Sequence, residues 1–357
     1  MESGYTRAAG SVVPLLSMVV LYTPPGAFAF TALIRISLYG VTTEERKQLY
    51  AELCDKHGIT SLFMQPWWLN ATGAWDVCFA RRNGRIIGAM PFALKKSRGF
   101  TLIGMPVQTH HLRIWMDKPP DISEHKWLTR EKQIIWLLVD DLPKYTFFSM
   151  VFEGDSFSNW LPFHWRGFRQ EMRYTFIIDR EMYESEDHGA NRNLRRNIRD
   201  AQADLELSRE IDLPTFQKLC ASTFQRQGKK VPYSLNLLES LDTAIAQHDA
   251  GIRLCAQDKN GKPIAASWLL WDADKAYYFM AGDVEEGRLS GASILLCHEA
   301  IRIAFEERQV RVFDFCGSMI EPITEIRRQF GAKPMGLMKI FKARWKLLDM
   351  AYALKKP

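Results

Sequence analysis

Apolar and polar positions settle into a regular pattern from Thr42 onward. Thr43-Glu44-Glu45-Arg46, followed by Leu49, Tyr50 and Leu53, has a capping threonine, acidic residues in the first turn and helical spacing, so a helix is expected to end near Gly58. Aromatic and apolar residues then gather around Pro66 in Ser61 to Trp68. Two extended runs within Val77 to Leu94 flank Asn83-Gly84, a pair that accepts positive φ and closes a β-hairpin. Phe100 to Pro106 reads as a strand, Arg130 to Asp141 as an amphipathic helix and Thr146 to Phe152 as a further strand.

The same order returns downstream. Ile252 to Trp271 is two runs around Asn260-Gly261, Ala276 to Ala281 is a strand, Ser293 to Glu307 a helix and Val310 to Phe315 a strand. Superposing the two turns also aligns Cys78 with Cys255, Ile87 with Ile264 and Ala89 with Ala266. This is the signature of a domain duplication, although two ordinary hairpins would share a few identities too. Between the copies, Asn191 to Ala203 lacks a strand pattern, and spacings of three and four put Arg192, Arg195, Arg196 and Arg199 on one broad helical face. Pro214, then Gly228 with Lys229-Lys230, mark later breaks.

A length of 357 residues suits two cores. With 47% apolar and 25% charged residues, extensive disorder is excluded. The net charge of +6 is unevenly spread, clustering at Arg192 to Arg199, at Arg226, Lys229 and Lys230, and at the C-terminus. Such clusters fit an anionic partner or solvated helix faces. Cys54, Cys78, Cys220, Cys255, Cys297 and Cys316 form no C-x-x-C pair and no metal-ligand spacing, which points to a reducing, cytoplasmic compartment and no metal. Ser11 to Gly40 is apolar and contains Ala27-Phe28-Ala29, a cleavage-site mimic. Only Arg7 precedes it as a basic residue, and Pro14, Pro24 and Pro25 interrupt it, so no transmembrane anchor is expected. Residues 1–32 read as a poorly ordered or non-essential extension, with Thr31 to Tyr39 a possible first strand.

The most informative local feature runs from Tyr277-Tyr278-Phe279-Met280 through Ala281-Gly282 into Arg288-Leu289-Ser290-Gly291-Ala292-Ser293 and the following helix. Glycine and small residues just before a helix let backbone N–H groups approach an anion, and the helix N-terminus adds partial positive charge. A pyrophosphate fits such a place. As a bare spacing, R-x-x-G-x-S is also an ordinary helix cap. Carboxylates and hydroxyls at the nearby strand ends are Asp283, Glu285 and Glu286, then Asp314, Ser318 and Glu321. Each can serve acid–base chemistry, a cap or a solvated surface. Tyr277 or Tyr278 could protonate a leaving group or simply pack. His110-His111 and His298 lack partners at telling spacings, and Trp67 and Trp68 either line an acceptor cleft or belong to the core.

These features resemble the N-acetyltransferase (GNAT) superfamily, whose acyl-CoA pyrophosphate loop has the pattern Q/R-x-x-G-x-G/A. Arg288, Gly291 and Ser293 match its fixed positions, with serine as a departure at the last. Asn159-Trp160-Leu161-Pro162-Phe163, Leu194 to Arg199, Phe313 to Ser318 and Arg328-Gln329-Phe330-Gly331 resemble uncharacterised bacterial members of the Fem-like branch, which fuses two GNAT modules. The resemblance covers roughly Leu33 to Ala343. It implies an α/β fold of two tandem GNAT-like domains, 33–180 and 181–357, each a mixed sheet flanked by helices. It also implies an acyltransferase that moves an acyl group from acyl-CoA to an amine of a small molecule, sugar or cell-envelope precursor, with Arg195 and Arg199 among acceptor-binding candidates. Aminoacyl transfer from aminoacyl-tRNA to a peptidoglycan precursor and a non-catalytic binding module are the alternatives; DNA is not expected as a partner. The long helical arm carried by some tRNA-reading Fem enzymes has no counterpart here. Met105 to Thr129 contains no glycine, so one donor site is expected, in the second half.

Overall fold

A computed structural model describes residues 42–97, 99–185, 192–226, 228–317 and 319–344. The extension 1–32, the expected strand Thr31 to Tyr39, Ser318 and the C-terminal basic cluster lie outside the described residues. Helix α1 (Thr43–His57) opens on a capping box, in which the Thr42 hydroxyl accepts the Glu45 N–H at 3.2 Å and the Glu45 carboxylate accepts the Thr42 N–H at 2.7 Å. After a 3-10 turn at Leu62–Met64 come α2 (Pro66–Ala71), β1 (Trp75–Arg82) and β2 (Arg85–Ser97). Asn83 and Gly84 take φ of 50° and 75°, the paired positive angles of a tight hairpin. Next are β3 (Phe100–Gly104), the short β4 (Trp115–Met116), α3 (Glu124–Asp141), β5 (Phe147–Glu153), α4 (Leu161–His164), β6 (Arg169–Asp179) and α5 (Arg180–Glu184).

The second half begins with α6 (Arg192–Asp204), β7 (Glu206–Ser208), α7 (Leu213–Arg226) and α8 (Leu235–Gln247). It then repeats the first: β8 (Gly251–Gln257), β9 (Pro263–Trp271), β10 (Lys275–Asp283), α9 (Glu285–Leu289), α10 (Ala292–Arg302) running into a π-helical turn, and β11 (Val312–Asp314). Helix α11 (Glu321–Gln329) and β12 (Lys333–Ala343) follow.

In each half an antiparallel hairpin is extended by a third strand, and a helix then carries the chain to a strand parallel to that third one: β3 with β5, and β10 with β11. The sheet runs β1-β2-β3-β5-β12-β6-β11-β10-β9-β8-β7. The strand that follows each repeat crosses over. β6 lies beside β11 of the second half, β12 lies beside β5 of the first, and the two pair with each other. Backbone hydrogen bonds therefore weld the repeats into a continuous sheet. One face of β10 buries Ala276 against Leu295, Leu296 and Phe313. On the other face, Tyr277 and Phe279 meet Phe63 and Trp68 of the first half, at ring-centroid distances of 4.8 and 5.5 Å.

Candidate functional site

β10 and β11 pair only over Lys275–Val312, Ala276–Phe313 and Tyr277–Asp314. Beyond that point β10 continues along β9 to Asp283 through a bulge at Phe279, while β11 ends and Phe315 turns to donate its N–H to the Phe176 carbonyl at 2.9 Å. The two strands thus part, leaving a gap between a bulged edge and a turning chain, a place where bulges often re-aim groups. In the first half the parallel pairing likewise stops, at Gly104–Ser149. There the chain fills the space itself. Leu112, fully buried, donates its N–H to Val151 and accepts from the Glu153 N–H, at 2.9 and 3.1 Å.

The glycine-containing loop Arg288 to Ser293 follows the end of β10. Gly291 caps α10 with φ of 77°, in the left-handed region that favours glycine. The first turn of α10 leaves the Ala292 and Ser293 N–H groups outside the helical hydrogen-bond ladder. Ala292 is buried and Leu289 exposed. The Ser290 hydroxyl donates to the Gly287 carbonyl at 3.2 Å, and the half-exposed Arg288 guanidinium has only Glu285 nearby, at 4.0 Å. Ser293, the departure from the family pattern, donates its hydroxyl to Asp283 at 2.6 Å. Asp283 also pairs with Arg226 at 2.8 Å, so this carboxylate joins the loop to α7. Gly291 faces α6, where an added Cβ would lie 3.5 Å from the Ala201 Cβ. Leu194, Ile198 and Ala201 of that helix are buried, whereas Arg192, Arg195, Arg196 and Arg199 point to solvent with no ion-pair partner among the described residues.

Of the other candidates, Asp314 lies at the gap, fully buried, its Oδ1 accepting from the Thr175 hydroxyl and, at 2.7 Å, from the Cys316 N–H. The Thr175 hydroxyl also accepts the Gly317 N–H at 2.8 Å, which holds Cys316 and Gly317 at φ of 56° and 74°. Replacing Thr175 with valine is expected to cost about 1–3 kcal/mol by orphaning these groups; urea denaturation measures it. Glu321 is exposed on the first turn of α11. Tyr277 donates to Asp272 at 2.9 Å, and burial holds both Tyr277 and Tyr278 well above the ordinary phenol pKa. Trp68 is fully buried, donating to the Thr109 hydroxyl at 3.0 Å, and Trp67 stacks on His248, so Trp68 spends its surface on packing. All six cysteines are free and buried, and burial pushes Cys54 and Cys255 up to about 11, which keeps them as thiols. Among the described residues no cluster of His, Cys, Asp and Glu could hold a metal, and no helix is long and apolar enough to cross a membrane.

Two residues at the gap carried no sequence signal. Arg327 of α11 donates to the Phe315 carbonyl at 3.0 Å, and its Nη1 is buried without a partner. His110, from the loop between β3 and β4, packs its ring against that of the bulge residue Phe279, and its Nε2 is likewise buried without a partner. Burial, with neighbouring His111 and Arg327, brings its pKa down to about 4. With Asp314 Oδ2, three orphaned polar atoms thus belong to residues around the gap. Buried polar groups without a protein partner mark places where ordered water or a bound group completes the hydrogen bonding.

Residues 189–321 match the acetyltransferase (GNAT) domain family. No curated protein sequence is significantly similar to the chain. Among solved structures, FemX is similar with a TM-score of 0.56 at 13% identity, over 84% of this chain and 96% of its own. The C-terminal domain of a putative lysylphosphatidylglycerol synthetase from Agrobacterium fabrum gives 0.52 at 12% identity, over 88% and 95%. A tandem GNAT protein from the clavulanic acid biosynthesis pathway gives 0.50 at 11%, over 84% and 94%. With its repeated hairpin, strand, helix and strand, the chain matches the GNAT domain family over 189–321 and has a tandem-GNAT fold.

Proposed function

We propose that the protein transfers an acyl group from acyl-CoA to an amine acceptor, a small molecule, a sugar or a cell-envelope precursor, in the cytoplasm. The observation that carries this reading is the parting of β10 and β11, with the glycine-capped N-terminus of α10 next in the chain after β10 and α9. A pantetheine arm would lie in the gap, with the pyrophosphate against Arg288 to Ser293, where free N–H groups and the helix end favour an anion. Residues 181–357 then hold the donor, and residues 33–180 shape the acceptor side. Asp314 is placed to act at the gap; Asp283 positions the loop through Ser293.

Calorimetric titration with CoA tests the reading. One equivalent should bind per chain, because Leu112 occupies the matching space in the first half. Gly291→Val should weaken binding at least tenfold, since a β-branched residue at φ of 77° strains the cap by about 1–3 kcal/mol. Two equivalents, or unchanged affinity in the variant, would place the donor elsewhere.

A second reading, aminoacyl transfer from aminoacyl-tRNA, draws on the four solvent-facing arginines of α6, which have no ion-pair partner among the described residues. For that reading, reversing Arg195 and Arg199 to glutamate should lower tRNA affinity and flatten its salt dependence, since each lost phosphate contact removes counterion release. An unchanged slope would leave the arginines as a solvated face.

A further inference from the structure

We propose that His110, delivered by the first half to the donor gap of the second, accepts the proton that the acceptor nitrogen loses during transfer. The inference rests on the acyl-transfer reading above and adds the residue that handles the proton.

The geometry comes from the bulge. Where β10 loses its parallel partner, the bulge takes Phe279 out of register with β9, and the His110 ring packs edge-on against the Phe279 ring there. Nε2 is buried without a hydrogen-bond partner among the described residues, and in the tautomer that carries hydrogen on Nδ1 it offers a lone pair. The ring is held in place by Phe63 and Phe279, at centroid distances of 6.1 and 5.8 Å. Burial and the neighbouring His111 and Arg327 keep the imidazole neutral at neutral pH, so the lone pair is available.

Asp314 is less suited to this task. One of its oxygens already accepts two hydrogen bonds that hold the turn at Cys316 and Gly317. The thiols and phenols nearby are locked in their neutral acid forms by burial. In the step itself, the neutral amine attacks the thioester carbon, forming a C–N bond and an oxyanion. Nε2 takes the proton from the resulting ammonium nitrogen, the C–S bond breaks with its electron pair passing to sulfur, and the thiolate recovers that proton. The products are amide and CoA thiol, and His110 is again neutral. The oxyanion beside the ring raises the basicity of Nε2 at the moment it is needed. A histidine from the first half thereby makes both halves necessary for turnover.

The test uses the full chain, CoA binding by calorimetry, and thiol release from acetyl-CoA in the presence of hydroxylamine as the probe amine. His110→Asn keeps a polar side chain of similar reach but removes the imidazole base. It should bind CoA as wild type does and turn over about 10²- to 10⁴-fold more slowly, the span expected for one proton-transfer group. His110→Ala should be slow and partly restored by added imidazole, a response that a purely structural role would not give. A wild type that binds CoA yet is no faster than His110→Asn overturns the assignment of His110 alone. A wild type that does not bind CoA overturns the acyl-CoA reading and His110 with it.

Discussion

Gly282→Ala is expected to lower the unfolding free energy by about 3 kcal/mol, the upper end of what overpacking usually costs. A Cβ at this position would lie 2.3 Å from the Cys220 Cα, 2.4 Å from the Leu219 carbonyl oxygen and 2.7 Å from the Cys220 nitrogen, all backbone atoms of α7. No side-chain rotation relieves such contacts, so the helix itself must move. The movement carries a functional cost as well. Ser222 and Arg226 of α7 both donate to the Asp283 carbonyl, Arg226 pairs with the Asp283 carboxylate, and Asp283 holds Ser293 at the start of α10. Displacing α7 therefore disturbs the loop at the start of α10 from behind, and if that loop binds the donor as proposed, CoA affinity should fall together with stability. Gly84→Ala supplies the contrast: no atom lies within 4 Å of its added Cβ, and only φ of 75° resists the change, at about 1 kcal/mol. Equal midpoints for the two variants in urea denaturation would show that the close approach of α7 to β10 is not tight in solution.

The duplicated hairpins were legible because their chemistry is local. Asn83, Gly84 and Gly261 take the positive φ that an Asn-Gly pair makes cheap, and the apolar runs on either side are long enough to read as strands. The glycine cap of α10 was legible for the same reason. What the sequence concealed depends on partners far along the chain. β6 and β12 lie mid-sheet yet carry charged residues, because Lys339 of β12 sits directly opposite Glu171 of β6 and pairs with it at 2.8 Å. Each strand alone reads as a mixed polar segment, and only the pairing makes it a central strand. Helices α7 and α8 were masked by Pro214 and Gly228, yet Pro214 falls in the first turn of α7, where proline is tolerated, and Gly228 follows its end. Helix α3 begins at Glu124 rather than Arg130 because Trp127, within a polar stretch, is buried. His110 and Arg327 gave no signal for a related reason: they lie far apart along the chain, and the gap that assembles them exists only in three dimensions.

Below pH 4.5 the protein should lose stability steeply, and Glu153 is the group expected to dominate that loss. This carboxylate, at the end of β5, is almost fully buried on the wall of a cavity of about 520 Å³ that Arg113, Asp272, Lys275 and Arg311 also line. It accepts hydrogen bonds from Arg113 and from Lys275 at the start of β10, with His111 Nε2 at 4.0 Å, so it joins the two halves. Burial alone would push its pKa up, but the charges of His111, Lys275 and Arg113 outweigh it, and the pKa falls from 4.5 to about 2. A depressed folded-state pKa stabilises the fold above the unfolded value and withdraws that support as pH falls through the folded value. The window is therefore pH 4.5 down to about 2, and the full effect is about 3 kcal/mol. Glu153→Gln should remove that pH dependence. At neutral pH the variant should be less stable by about 3–5 kcal/mol, because the Lys275 ammonium, only 13% exposed, loses the charge that compensates its burial. Unfolding free energies from urea titrations at pH 7, 4.5 and 3 separate the outcomes. Parallel curves for wild type and variant would mean that Glu153 is not the titrating group, whereas curves that converge as the pH falls would identify this ion cluster as the acid-sensitive joint between the repeats.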